Sequence, residues 1–128
     1  MKFWDSSALV PLLVEEATTV RLRDLYVGEP GTIVWWATPV ECASAIARLE
    51  REGNLPPRAA TEAFARLDAL GRSWHRIEPV EAVLDTARRL LRAHSLRAGK
   101  PSTLELVCLD DRLVIAAQRE GFVVRDRL

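Results

Sequence analysis

The chain has little of what most zinc and redox sites are built from. It holds two cysteines, Cys42 and Cys108, and two histidines, His75 and His94. No C-x-x-C pair and no spaced histidine pair occurs, which excludes the common zinc and thiol-redox motifs. Both cysteines lie in apolar contexts and read as small buried hydrophobes. Both histidines read as structural or surface residues. No apolar run is long enough to span a bilayer. The N-terminus lacks a basic region followed by a cleavable apolar stretch, so no secretory signal is visible and the expected location is cytoplasmic. Excess charge of either sign is also missing: 18 basic residues face 18 acidic ones. That balance argues against a general polyanion-binding surface. Lysine is scarce. Lys2 and Lys100 stand alone, and the other 16 basic residues are arginine. Arginine favours bidentate phosphate contacts, although genome composition produces the same bias. The densest group is Arg88, Arg89, Arg92, Arg97 and Lys100, with only Asp85 nearby.

What remains is an ordinary globular composition in 128 residues. That is the size of one domain, spanning residues 1–128, and long enough to bury a core without staples. Short apolar runs alternate with longer periodic segments, the pattern of βα units on a parallel sheet. Strands are expected at 1–4, 32–36, 74–77, 104–109 and 122–124. Helices are expected at 8–13, 18–27, 38–52, 58–70, 79–93 and 111–120. Pro39 fits a first helical position, and Gly53 and Gly121 fit helix ends. Trp35 and Trp36 should point to opposite sheet faces, both under helices. The fold class is α/β: a three-layer, five-stranded parallel sheet flanked by helices.

Three acids fall just after strands or one turn into the next helix. Asp5 follows the first strand, Glu41 follows the second, and Asp110 follows the fourth. All strand carboxyl ends of a parallel sheet lie on one side, where open α/β sheets place their ligands. Clustered carboxylates repel unless a cation neutralises them. Hard oxygen donors without histidine or cysteine suit Mg²⁺ or Mn²⁺, and such ions promote in-line displacement at a phosphodiester. Each acid has a local alternative. Asp5 fits an N-cap, but Ser6 and Ser7 are better placed for that task. Thr38-Pro39-Val40-Glu41 matches the capping box, which would turn Glu41 back onto its own helix. Asp110 fits the cap of the last helix, with Asp111 favourable in its first turn.

Together these stretches resemble the PIN domain, and within it the VapC-type toxin ribonucleases of bacterial toxin–antitoxin pairs. The resemblance runs nearly end to end. Phe3-Trp4-Asp5-Ser6-Ser7-Ala8-Leu9-Val10 looks like the family's first motif. Thr38-Pro39-Val40-Glu41-Cys42-Ala43-Ser44-Ala45 looks like its second. Val107-Cys108-Leu109-Asp110-Asp111-Arg112-Leu113 looks like its last. The resemblance implies a PIN-like five-stranded sheet, an acidic Mg²⁺ pocket, RNA cleavage, a homodimer and inhibition by a cognate antitoxin protein. It also implies Asp5, Glu41 and Asp110 as catalytic metal ligands, with Ser7 as a supporting hydroxyl. There is one departure. His94-Ser95-Leu96-Arg97-Ala98 opens a further motif that normally continues to another acid and an alanine- and leucine-rich helix. Here Gly99-Lys100-Pro101-Ser102-Thr103 follows at once. Either the chain lacks that helix, which would bare an apolar patch on one sheet face, or the sequence is interrupted between Ala98 and Gly99. A Cα separation near 3.8 Å across that peptide would exclude the interruption.

The expected activity is therefore a Mg²⁺- or Mn²⁺-dependent endoribonuclease, with Arg88, Arg92 and Arg97 as candidates to clamp the RNA backbone. The alternative is a degenerate PIN-like domain that binds RNA or an antitoxin without cutting. A phosphotransfer domain with a first-strand aspartyl nucleophile is disfavoured, because Asp5-Ser6-Ser7-Ala8 supplies no second acid.

Overall fold

The structure is a computed structural model and describes residues 1–92, 105–119 and 121–124. Its elements run β1 (Lys2–Trp4), α1 (Ser6–Leu13), α2 (Thr19–Val27), β2 (Thr32–Trp35), α3 (Thr38–Arg51), α4 (Pro57–Gly71), β3 (His75–Ile77), α5 (Glu81–Arg92), β4 (Glu105–Val107), α6 (Asp111–Arg119) and β5 (Val123–Val124). Every strand and helix expected from periodicity is present. Their ends differ for identifiable reasons. Helix α1 starts at Ser6 rather than Ala8 because Asp5, not a serine, caps it. Helix α3 is entered from Ala37, so Pro39 occupies its second position rather than its first. Strand β2 stops at Trp35, and Trp36 falls in the turn beyond it with 45 % of its surface exposed. Trp36 is therefore not a core residue, and Trp35 is only half-buried. Gly53 ends α3 with φ 76°, a left-handed conformation that lets the amides of Asn54 and Leu55 turn back onto the Leu49 carbonyl. The expected limits at Ala93, Leu104 and Glu120, Arg97, and the Ala98–Gly99 junction, lie outside the described residues.

The five strands are all parallel, in the order β3-β2-β1-β4-β5. From β1 the chain steps one way to β2 and β3. It then crosses to the other side of β1 for β4 and β5. Crossovers between parallel strands are right-handed, so reversing direction moves the connecting helices to the opposite face. The core follows that rule. One cluster joins Trp4, Val34 and Val107 of the sheet to α1, α2, α3 and α4. A second joins Phe3, Leu106 and Val124 to Cys108, Val114 and Ala117. Three layers result, with the sheet between them.

The two faces are unequally covered. Trp4 and Val34 are fully buried, while Phe3 and Ile33, beside them on the other face, stay partly open. In the larger cluster Trp4 packs edge-on against Tyr26, with ring centroids 5.3 Å apart. The Tyr26 hydroxyl accepts a hydrogen bond from Trp74 Nε1 at 3.0 Å. Arg66 donates to the Leu13 carbonyl at 2.9 Å and ties α4 to the end of α1. Among the described residues no helix is long and apolar enough to cross a membrane.

At the amino edge of the sheet, Glu29 is buried against two cations. Its Oε1 lies 2.7 Å from the α-amino nitrogen of Met1, and Lys2 Nζ donates to its Oε2. Burial pushes this carboxyl up, but hydrogen bonds and charge from Lys2 and the α-amino group outweigh it and hold the pKa below 4.5. A folded pKa below the unfolded one stabilises the fold above the unfolded value and is lost as pH falls through the folded value. Glu29→Gln should accordingly cost about 1–2 kcal/mol at pH 7. Urea unfolding from pH 7 to pH 3 should show the difference shrinking below about pH 4.5. A pH-independent difference would rule out the ion pair as its source.

Candidate functional site

An open α/β sheet leaves a crevice outside the strand carboxyl ends where its direction of travel reverses. Here that point lies between β1 and β4, and the helices that follow those strands are entered at Asp5 and Asp110. The strand ends are laced together: the Asp5 amide donates to the Val107 carbonyl at 2.9 Å. A cavity of about 700 Å³ opens there. Its wall carries Asp5, Ser6, Ser7 and Val10 from the first junction and helix, and Asp110 and Leu113 from the last. Helix α3 adds Val40, Glu41, Ser44, Ala45 and Arg48. The volume is that of a small-molecule or cofactor site.

Two of the acids are helix caps, so the local reading and the functional reading hold together. Asp5 caps α1: its Oδ2 accepts from the Ser7 amide at 2.9 Å and from the Ser7 hydroxyl at 2.5 Å. Asp5 Oδ1 takes part in neither bond. The cap is thus the aspartate and not Ser6 or Ser7, the residues that the sequence favoured for it. A carboxylate at this position takes up two donors and faces the positive end of the helix dipole. Asp110 does the same for α6, where its Oδ1 accepts from the Leu113 amide at 3.1 Å. Ser7 is the hinge between the two junctions. Its hydroxyl proton goes to Asp5, and its oxygen accepts the Leu109 amide at 2.9 Å. The Cys108 sulfur lies 3.5 Å from Ser7 Oγ, and its thiol donates to the Asp110 carbonyl at 3.8 Å. The Asp110 amide in turn donates to Cys108 Sγ at 3.3 Å.

Glu41 arrives differently. The capping box suggested by Thr38-Pro39-Val40-Glu41 does not form, because the cap is Ala37 and Thr38 is a buried helical residue. Glu41 is exposed on the cavity wall with no hydrogen bond or ion pair among the described residues. The field of the acids registers on the neighbouring thiols. Burial chiefly, then the charges of Glu41 and Asp5, pushes the Cys42 thiol up to about 12. Burial, with a smaller contribution from Asp5, raises Cys108 to about 11. Both are inert protonated thiols at neutral pH, as their apolar sequence contexts suggested.

Of the arginines expected to clamp a backbone, Arg88 and Arg92 lie outside this cavity's lining. Arg88 lies 3.2 Å from Asp85 and 3.7 Å from Glu81 on its own helix. Arg88, Arg89 and Arg92 line a separate depression with Asp85. The cavity's own polar wall residues on α3, Ser44 and Arg48, were not singled out from sequence. The signal was there: positions 41, 44, 45 and 48 follow the i, i+3, i+4, i+7 spacing of one helix face. Asp111 is exposed, and Glu105 sits at the far end of β4 beside Lys2. Neither replaces a missing acid.

Three hard carboxylates around one cavity fit a Mg²⁺- or Mn²⁺-type ion in donor chemistry. Among the described residues no three such side chains meet closely enough to form a ready-made ligand set. The three acids line one space without forming such a set. No family model matches the chain, and no curated protein matches it.

Proposed function

We propose that this chain is a metal-dependent endoribonuclease acting as the toxin of a toxin–antitoxin pair. The observation that carries the proposal is the convergence of Asp5, Glu41 and Asp110 on one cavity at the crevice of the sheet. These residues lie at distant positions, and two of them are fixed by caps that hold their carboxylates in place. Asp5, Glu41 and Asp110 would hold Mg²⁺ or Mn²⁺. When bound, the ion supplies charge stabilisation at a phosphodiester and lowers the pKa of water. The protein's own contribution is orientation. Ser7 fixes Asp5 through two donors, while the Leu113 amide fixes Asp110. Glu41, without a local partner among the described residues, is the acid able to adjust to a ligand or accept a proton from attacking water. The toxin role, a cognate antitoxin and a homodimer rest on the sequence resemblance. Val40 and Leu113, exposed apolar side chains on the cavity wall, give a protein partner something to cover.

The test is metal titration with two readouts. Millimolar Mg²⁺ or Mn²⁺ should raise the thermal midpoint, by about 2–3 kcal/mol of stabilisation at a hundredfold excess over Kd. It should also switch on cleavage of single-stranded RNA. RNA binding without metal-stimulated cleavage or stabilisation would replace this reading with the non-catalytic one.

A further inference from the structure

Arg48 is the one cation among the described residues that line the acidic cavity. It lies seven residues beyond Glu41 on α3, two helical turns and about 10 Å further along the same face. Its side chain forms no ion pair or hydrogen bond among the described residues. Several other arginines on described helices have such partners: Arg58 and Arg66 pair with Glu62, and Arg88 with Asp85 and Glu81. Glu41 on the same face is equally unpaired among those residues, so the guanidinium is held apart from the carboxylates and does not neutralise them.

A phosphodiester chain entering this cavity meets three carboxylates. A single divalent ion between them would bridge to one phosphate but would leave the three acids with a net charge of about −1. The next phosphate along the chain needs its own counter-charge, because the acids repel it too. We infer that Arg48 holds the phosphate neighbouring the scissile one, and so makes the cavity a site for a polynucleotide strand rather than an isolated phosphate ester. A guanidinium suits this task through its forked pair of donors. Val40, Ala45 and Leu113 add apolar surface to the cavity wall, against which a sugar or base can lie. This inference rests on the ribonuclease reading for the identity of the strand. The competing local role for Arg48 is to complement the dipole at the C-terminal turns of α3.

The experiment uses the full chain and a labelled, mixed-sequence twelve-nucleotide single-stranded RNA. Binding is followed by fluorescence anisotropy in Ca²⁺ buffer over a range of salt, and cleavage is followed separately in Mn²⁺. Arg48→Ala should weaken binding about tenfold and reduce the slope of log K against log salt by about 0.7, the value for one phosphate contact on a single strand. Arg48→Lys should restore the slope. A wild-type slope in Arg48→Ala overturns the inference, and a lower thermal midpoint with that slope unchanged assigns the residue to the helix dipole instead. If the wild type fails to cut RNA in Mn²⁺ while Arg48→Ala still loses the slope, the subsite stands and the nuclease reading falls. If the wild type cuts RNA and Arg48→Ala keeps the slope, the nuclease reading stands and the subsite falls. Failure of the wild type to bind RNA overturns both.

Discussion

Replacing Asp5 with asparagine should reduce metal-stimulated RNA cleavage by at least about 1,000-fold, a loss of roughly 4 kcal/mol in transition-state stabilisation. The fold should survive. Asparagine caps a helix as well as aspartate does, and its amide oxygen can accept the same two donors from Ser7. Removing one of three mutually repelling carboxylates leaves stability unchanged or slightly higher. Asp5→Ala is the informative contrast. It loses the cap as well as the charge, so it should also lose about 1 kcal/mol of stability. Cleavage rates and urea midpoints for the pair of variants separate the two roles. An asparagine variant that cleaves RNA at the wild-type rate would remove Asp5, and with it the whole carboxylate assignment.

Ser7→Ala should have the second-largest effect, and on two measurements at once. Among the described residues, its hydroxyl is the side-chain group that links both strand junctions. It donates to Asp5 and accepts from the Leu109 amide 102 residues away. Without it, the part-buried Leu109 amide has lost its acceptor, which costs about 1–3 kcal/mol. Asp5 also loses one of the two bonds that fix its orientation, so cleavage should fall about 10–100-fold, as for the outer-shell partners of other metal ligands. Ser7→Thr keeps the hydroxyl and should recover most of both. Wild-type stability in Ser7→Ala would show that the two junctions are held without this contact. Normal stability with normal cleavage would remove Ser7 from the site entirely.

The placement of strands and helices was legible because burial has a period. Thr32–Trp35 alternates between buried and half-buried, and α3 and α4 bury one stripe each. The ends of elements were less legible, since a cap is chosen by geometry that several neighbours can satisfy. Asp5, Ser6 and Ser7 all offered oxygens before α1, and the carboxylate took the position. Thr38-Pro39-Val40-Glu41 carried every residue type of a capping box, yet Thr38 went into the core and its hydroxyl was not offered to the helix end. The surroundings of Arg88 were hidden for a related reason: a cluster of arginines in sequence does not show that spacings of three and seven put Arg88 beside Asp85 and Glu81 on its own helix.

By itself the sequence determined the α/β class, the run of strands and helices, and the three acids that follow strands. Those follow from local patterns of apolar and polar residues. Only the tertiary structure decided that β4 lies beside β1, that Asp5 and Asp110 flank the resulting crevice, and that Arg48 rather than the α5 arginines shares their cavity. Strand order depends on long-range pairing and on which helix face finds a partner. No local spacing encodes either, so the same residues become a site only when the sheet reverses direction between them.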